Sequence, residues 1–544
     1  MRIDVLFTNG RIRTLDPARP TAERMGVFCG RIIGFDSDLD GVQADRTVDL
    51  GGRHVLPGFH DAHFHLSLTG ARLAALDLRP GKVNSLEELY AAVAAFAEKL
   101  PAGAWVRGSG YDQNYLGGRH PTAAGLDAVA GGRPVLLEHV SAHMVVANSA
   151  AFALMGDVPD VEGGTVARDA DGKPTGLLQE RAMTLAYALV RPIPLPDVQR
   201  NIALAGEQTA RYGLTSITDP GVGDHEMLGN SPADFHSYLE AVERGTLKTR
   251  VTLMPFCTTL HPIFKEGEHA EWRGLDLGIR TGLGDDRLRM GPIKIMADGS
   301  FIGRSAAMHH CYHGDSHRGV MMFEPAKLKE MIVGAHAAGW SVAAHAIGDA
   351  ATDHILDAFE AALAKYPRKD TRHRIEHFAY TSPEQVARAK ALGVIPVPQG
   401  IFISDFGDGM LEAAPLNERG DREVIYRCKS ILDAGIVLPG STDSPVSDGN
   451  PLACIHDMVN RHTRSGVVCE PEERVTVQEA VRAYTYGSAY AVHQEKDKGT
   501  LERGKLADFV VLSNDLFEIP PETIKDQRVL MTVIGGEVVY EADK

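Results

Sequence analysis

Residues 54–66 read HVLPGFHDAHFHL, an apolar run of strand character that ends in closely spaced histidines. On a strand, side chains at i and i+2 point to the same side, so His63 and His65 can present two imidazoles to one metal ion. With 23 histidines in 544 residues, such a pair is by itself an ordinary event of composition. Its weight comes from the rest of the chain. Further candidate strands lie at 215–221, 250–256, 290–299, 340–349, 373–380, 393–400 and 435–445, and helical stretches separate most of them. In 198–212, for example, Ile202, Ala205, Thr209 and Tyr212 share one helical face. Eight strands alternating with helices predict an α/β protein built on a (β/α)8 TIM-type barrel.

The predicted strands carry polar residues in a particular order. The first ends in His63 and His65, the fourth in Lys294, the fifth in His345, the sixth in His377 and the eighth in Asp443. His345 and His377 are 32 residues apart, one strand–helix unit, and His377 and Asp443 are 66 apart, two such units. Each candidate therefore falls near the C-terminal end of a predicted strand, where this architecture builds its active sites. The gap between the first two strands is too long for one helix and predicts an inserted region at about 100–190, with its own apolar runs at 134–137 and 144–147. The two chain ends differ from the middle: 3–50 and 498–544 alternate with period two and turn at NG, CG and GG. Neither is long enough to close a sheet alone. The expected organisation is a small β-sandwich from 1–56 and 498–544, with the barrel in 57–497.

Composition excludes several classes. The chain is 44% hydrophobic and 24% charged, a globular balance, and its net charge of −16 argues against a nucleic-acid partner. No uninterrupted apolar stretch is long enough for a membrane span, and the N-terminus shows no signal peptide. Six cysteines are scattered without a CxxC pair, which is neither a disulfide framework nor a zinc ribbon. These features predict a cytoplasmic protein that acts on a small molecule.

The stretches LPGFHDAHFHL, GPIKIMADGSF, AAHAIGDAATD, HRIEHFAY, GSTDSPV and KGTLERGKLADFVVL span nearly the whole chain. Together they resemble the amidohydrolase superfamily, and within it the N-substituted formamide deformylase-like (YtcJ-like) branch. The resemblance implies a composite β-sandwich beside a barrel that holds one or two divalent ions, usually zinc. Carried over by position, it makes His63, His65 and Asp443 ligands of the more buried ion and His345 and His377 ligands of the second. Lys294 falls where binuclear members carry a lysine carboxylated by carbon dioxide, whose carbamate bridges both ions. The chemistry is sensible, since a desolvated neutral amine can react with carbon dioxide and become an anionic ligand. The alternative is an ordinary lysine salt-bridged to Asp298.

Two ions would lower the pKa of a bridging water and polarise a substrate carbonyl. Asp443 would take the proton of the attacking hydroxide and deliver it to the leaving nitrogen. As a plainer alternative, Asp443 caps a helix. The implied reaction is hydrolysis of a non-peptide C–N bond, with an N-substituted formamide or a similar amide as substrate. Cyclic amide, imide or ester hydrolysis stays open, as does a mononuclear deaminase, although Ala-Ile-Gly-Asp follows His345 where deaminases carry an HxxE-type glutamate. A non-catalytic regulator would be expected to have lost ligands, and all six positions are intact. His143, Glu180 and Gln399 are candidate substrate contacts, each with a structural reading beside it. His139 and His143, four apart, also allow a zinc pair on a helix, and the run His309–His313 a substrate-facing lid or an exposed loop. Among similar proteins homodimers are common.

Overall fold

At Gly58 the chain passes from one sheet to another, so the stretch read as a single strand over 54–63 is in fact two. The computed structural model describes residues 1–140, 144–161, 164–223 and 233–543. In it, His54–Pro57 pairs antiparallel with Phe509–Leu512 and parallel with Arg11–Arg13, whereas Phe59–Asp61 pairs parallel with Leu214–Val222. A Cβ on residue 58 would lie 2.3 Å from the Thr215 side chain, so glycine alone allows this close crossing. The pattern of hydrophobicity hides the break because almost every residue on both sides of it is buried.

The first of these strands belongs to a six-stranded sheet drawn from both chain ends. Its order is Thr21–Ala22, Arg11–Arg13, His54–Pro57, Phe509–Leu512, Val529–Ile534 and Glu537–Glu541. A four-stranded sheet of Arg31–Phe35, Met25–Phe28, Arg2–Thr8 and Gln43–Asp49 shares its core. Val5, Phe7 and Val27 pack there with Val55, Phe509 and Val511, and the Phe7 and Phe509 rings meet edge to face at 4.8 Å. The alternation seen in both tails is thus the alternation of side chains into this shared core.

Parallel pairing organises the segments that carry the site. One four-stranded sheet contains Phe59–Asp61, Leu214–Val222, Arg250–Pro255 and Leu288–Met290; another contains Ile293–Met296, Val342–Ala346, Arg374–His377 and Ile395–Val397. Helices Pro325–Ala337, Asp349–Lys365 and Pro383–Leu392 run between successive strands of the second sheet. A parallel bridge from Phe256 to Lys294 joins the two sheets. The strand read over 290–299 is broken by Gly291-Pro292, where proline offers no N–H to a ladder. Lys294 therefore lies inside the short strand Ile293–Met296 and not at its end.

The predicted eighth strand, 435–445, makes no regular ladder. Its backbone bonds one group at a time to the first: Ala62 donates to Gly440 O (2.9 Å), Asp443 to His63 O (2.8 Å) and His65 to Ser444 O (2.8 Å). Asp443 itself has φ 58°, which takes its neighbours out of ladder geometry.

The described residues of 67–205, with 233–237, form a second compact unit. Its six-stranded sheet runs Gly164–Arg168, Pro174–Glu180, Met144–Ala147, Val135–His139, Val106–Tyr111 and Leu76–Asp77. This unit is wider than the 100–190 stretch because Leu76–Asp77 pairs with Gly108–Ser109, and Leu89 and Val93 of the helix Leu86–Ala97 enter the same core as Val106 and Val135. Among the described residues no helix is long and apolar enough to cross a membrane.

Candidate metal centre

His63, His377 and Asp443 meet in the interior, each with a ligand atom within 4.8 Å of the others and each buried. Asp443 Oδ1 lies 3.3 Å from Nε2 of His63 and 3.3 Å from Nε2 of His65. The ring centroids of His63 and His377 are 5.2 Å apart, and those of His345 and His377 4.4 Å. Residues from four separate segments of the chain are thus brought to one place. Two of them adopt a backbone conformation that side chains disfavour: His377 has φ 72° and Asp443 φ 58°. Such positions cost of order 1–3 kcal/mol each and gather at functional sites.

The imidazoles are held in the form that can bind a cation. His63 Nδ1 donates to Glu376 Oε2 at 2.5 Å, and the same carboxylate accepts from Arg374 at 2.7 and 2.8 Å. That partner places the proton on Nδ1 and leaves the Nε2 lone pair facing Asp443. His377 Nδ1 donates to Gln399 Oε1 at 2.7 Å, while the Gln399 amide donates to Val397 O and Ser441 Oγ. This fixes which way Gln399 points and frees His377 Nε2. Burial lowers the pKa of both histidines, keeping them neutral. Burial opposes charge on Glu376 as well, yet the Arg374 guanidinium and the N–H of His63 hold that carboxyl well below its usual range, and the pKa of Asp443 is lowered too. The result is neutral imidazoles beside an anionic carboxylate, a donor set suited to a divalent transition metal.

Lys294 is buried, and that burial brings its pKa down to about 8 against the opposing pull of Glu376 and Asp443. No ion pair joins it to Asp298 among the described residues. The Asp298 carboxylate instead accepts from the amides of Ala307 (3.0 Å), Ile347 (3.0 Å) and Gly348 (2.8 Å). His345 Nε2 is 3.1 Å from Gly299 O and 3.3 Å from Asp298 Oδ1, so this ring is directed at the loop after Met296. Gln399 is fully buried behind His377, which makes it a support of that ring in this arrangement. His143 lies outside the described residues, as does the side chain of Glu180. His139, at the end of Val135–His139, bonds Gln113 Oε1 through Nε2 at 2.5 Å. His309, in the candidate lid, pairs with Asp353 at 2.8 Å.

Three supporting residues escaped the sequence reading. Arg374 and Glu376 stand at i and i+2 of one strand, a spacing that puts a cation and an anion on the same side. That signal was present in HRIEHFAY but was masked by His377. Asp61 accepts from His63 N (2.9 Å), Thr442 N (3.1 Å) and Thr442 Oγ1 (2.6 Å), and so ties the two segments that carry His63 and Asp443. Glu376→Gln is expected to weaken metal binding by about 10–100-fold, the usual cost of losing such an orienting partner. Chelator competition measures this, and an unchanged affinity would show that Glu376 serves Arg374 alone.

Residues 46–540 match the amidohydrolase family, and the chain belongs to it. It is accordingly a metal-dependent amidohydrolase, acting on carbon–nitrogen bonds of small molecules. Protein LONG AFTER FAR-RED 3 of Arabidopsis thaliana is 32% identical, over 99% of this chain and 91% of its own. The N-substituted formamide deformylase of Arthrobacter pascens is 30% identical, over 99% and 98%. Among solved structures, an uncharacterised metal-dependent hydrolase from Pyrococcus horikoshii superposes with a TM-score of 0.77 at 26% identity, covering 95% of this chain and 99% of that one. Family and likeness together imply a TIM-barrel-type metal-hydrolase fold of mixed α/β content.

Proposed function

We propose that the enzyme hydrolyses an N-substituted formamide or a closely similar amide. In this reading the two parallel sheets and 435–445 make one (β/α)8 barrel within 57–497, and 1–56 with 498–544 make a composite β-sandwich. The convergence of His63, His377 and Asp443, with both rings oriented from behind by Glu376 and Gln399, carries it. His63, His65 and Asp443 would hold the more buried of two divalent ions, zinc being the metal this donor set suits well. His345 and His377 would hold the other, and a carbamate formed from Lys294 and carbon dioxide would bridge them. Bound there, the ions supply a Lewis acid and an activated water at neutral pH.

The protein's own groups do the rest. Asp443, anionic and close to both His63 and His65, takes a proton from the attacking water and returns it to the leaving amine. The positive-φ backbone at 377 and 443 brings these two side chains to one centre, so that less ordering is left to the reaction itself. The formamide itself is supported by the deformylase relative. A screen of zinc-loaded enzyme against formamides, longer N-acyl amines and cyclic imides tests it. Formamides are expected to release formate and amine in equal amounts with kcat/KM at or above about 10⁴ M⁻¹ s⁻¹, within the common range for natural substrates. Turnover of cyclic imides with inert formamides would overturn the proposal.

A further inference from the structure

At the other end of the parallel strands from His345 and His377, the residues that lead into Ile293, Val342 and Arg374 line a cavity of about 220 Å³. Its walls are basic. Arg289 and Arg368 line it, and Arg280 covers Gly339 on its wall, with Nη1 2.6 Å from where a Cβ there would sit. The one carboxylate of the lining, Asp370, accepts from the Arg372 guanidinium through bonds of 2.8 and 3.1 Å and shares it with Glu495 (2.8 Å). Arg368 donates to the carbonyls of His336, Gly339 and Trp340, which are neutral acceptors. The Arg289 side chain has no hydrogen-bond or ion-pair partner among the described residues. The acid that bears on it electrostatically, Asp497, is itself paired with Arg31 at 3.2 Å.

The neighbouring hydroxyls do not compete for a ligand, since Thr281 donates to Gly291 O and Ser341 to Thr371 O. Burial disfavours the charges of Arg289 and Arg368, and Arg280 adds repulsion at Arg368. A guanidinium with no acid bonded to it, beside a second one that meets only carbonyls, around a space several times the roughly 30 Å³ share of one water, is matched to an oxyanion. We propose that this cavity is a second ligand site, in which Arg289, with Arg368 and Arg280, binds a phosphate or carboxylate group of a small metabolite. The site is separate from the metal centre and independent of which amide is hydrolysed.

Binding of inorganic phosphate and of malonate to the zinc-loaded enzyme, at constant ionic strength, tests the assignment. Calorimetry is expected to show saturable binding of at least one of them at about millimolar concentration or below, and Arg289→Gln to weaken it by about 10–100-fold, as expected for loss of a charged hydrogen-bonding group. Formamide turnover without added anion should stay unchanged in that variant. Phosphate alone, malonate alone or both identifies the group recognised. A readout without substitution is labelling of Arg289 by phenylglyoxal, which the bound anion should slow severalfold. Anion binding that Arg289→Gln leaves intact would place the anion elsewhere, at the metals included, and overturn the proposal; so would unprotected labelling or no binding of either anion.

Discussion

Asp443→Asn is expected to leave a folded, metal-loaded enzyme whose kcat on an amide falls by at least about 10²-fold, with KM little changed. Asparagine is the variant that isolates the charge. It tolerates the left-handed backbone that residue 443 adopts, φ 58°, better than alanine would, and it keeps one oxygen where Asp443 Oδ1 faces His63 and His65. What disappears is the proposed proton acceptor. Amide hydrolysis must protonate a poor leaving amine, a step to which general acid–base catalysis typically contributes about 10²–10⁴-fold. An activated ester needs less protonation at departure and should lose less. An equal loss on both substrates would confine Asp443 to the metal or the attacking water, and no loss on either would remove it from catalysis.

If Lys294 bridges the ions as its carbamate, as proposed, Lys294→Ala is expected to lose most of the bound metal and at least about 10²-fold in activity, more than the 10–100-fold contributed by groups behind the ligands. Small carboxylic acids should restore part of both by taking the place of the carbamate. Wild-type protein should carry about two equivalents of metal by elemental analysis. Reaction with carbon dioxide needs the neutral amine, and burial brings the Lys294 pKa down to about 8. Deprotonation grows as pH rises through that value, so loading from bicarbonate and zinc should be faster at about pH 8.5 than at about pH 6.5. Full activity in Lys294→Arg, which cannot form the same carbamate, would reduce this lysine to a structural role.

The residues of the candidate site were legible in one dimension because segment order is a property of the chain. His63, His65, Lys294, His345, His377 and Asp443 recur at intervals of strand–helix units, and the alternation in both tails announced a sheet built from them. What surrounds those residues was not legible. Glu376 and His377 are adjacent, so a regular strand would send them to opposite faces. The positive φ of His377 lets the two serve one centre, Glu376 from behind His63 and His377 beside Asp443. No periodicity announces a single such residue.

By itself, then, the sequence determined the order in which these residue types recur among buried, alternating segments, since burial and side-chain alternation are local consequences of residue order. Only the tertiary structure decided how they are aimed. The break at Gly58, the split around Gly291-Pro292, the Asp61 clamp on Thr442 and the Gln399 brace behind His377 all join residues distant in sequence or turn on one close approach. Their energies come from contacts that exist only once the chain has closed on itself, and short-range pattern carries no record of them.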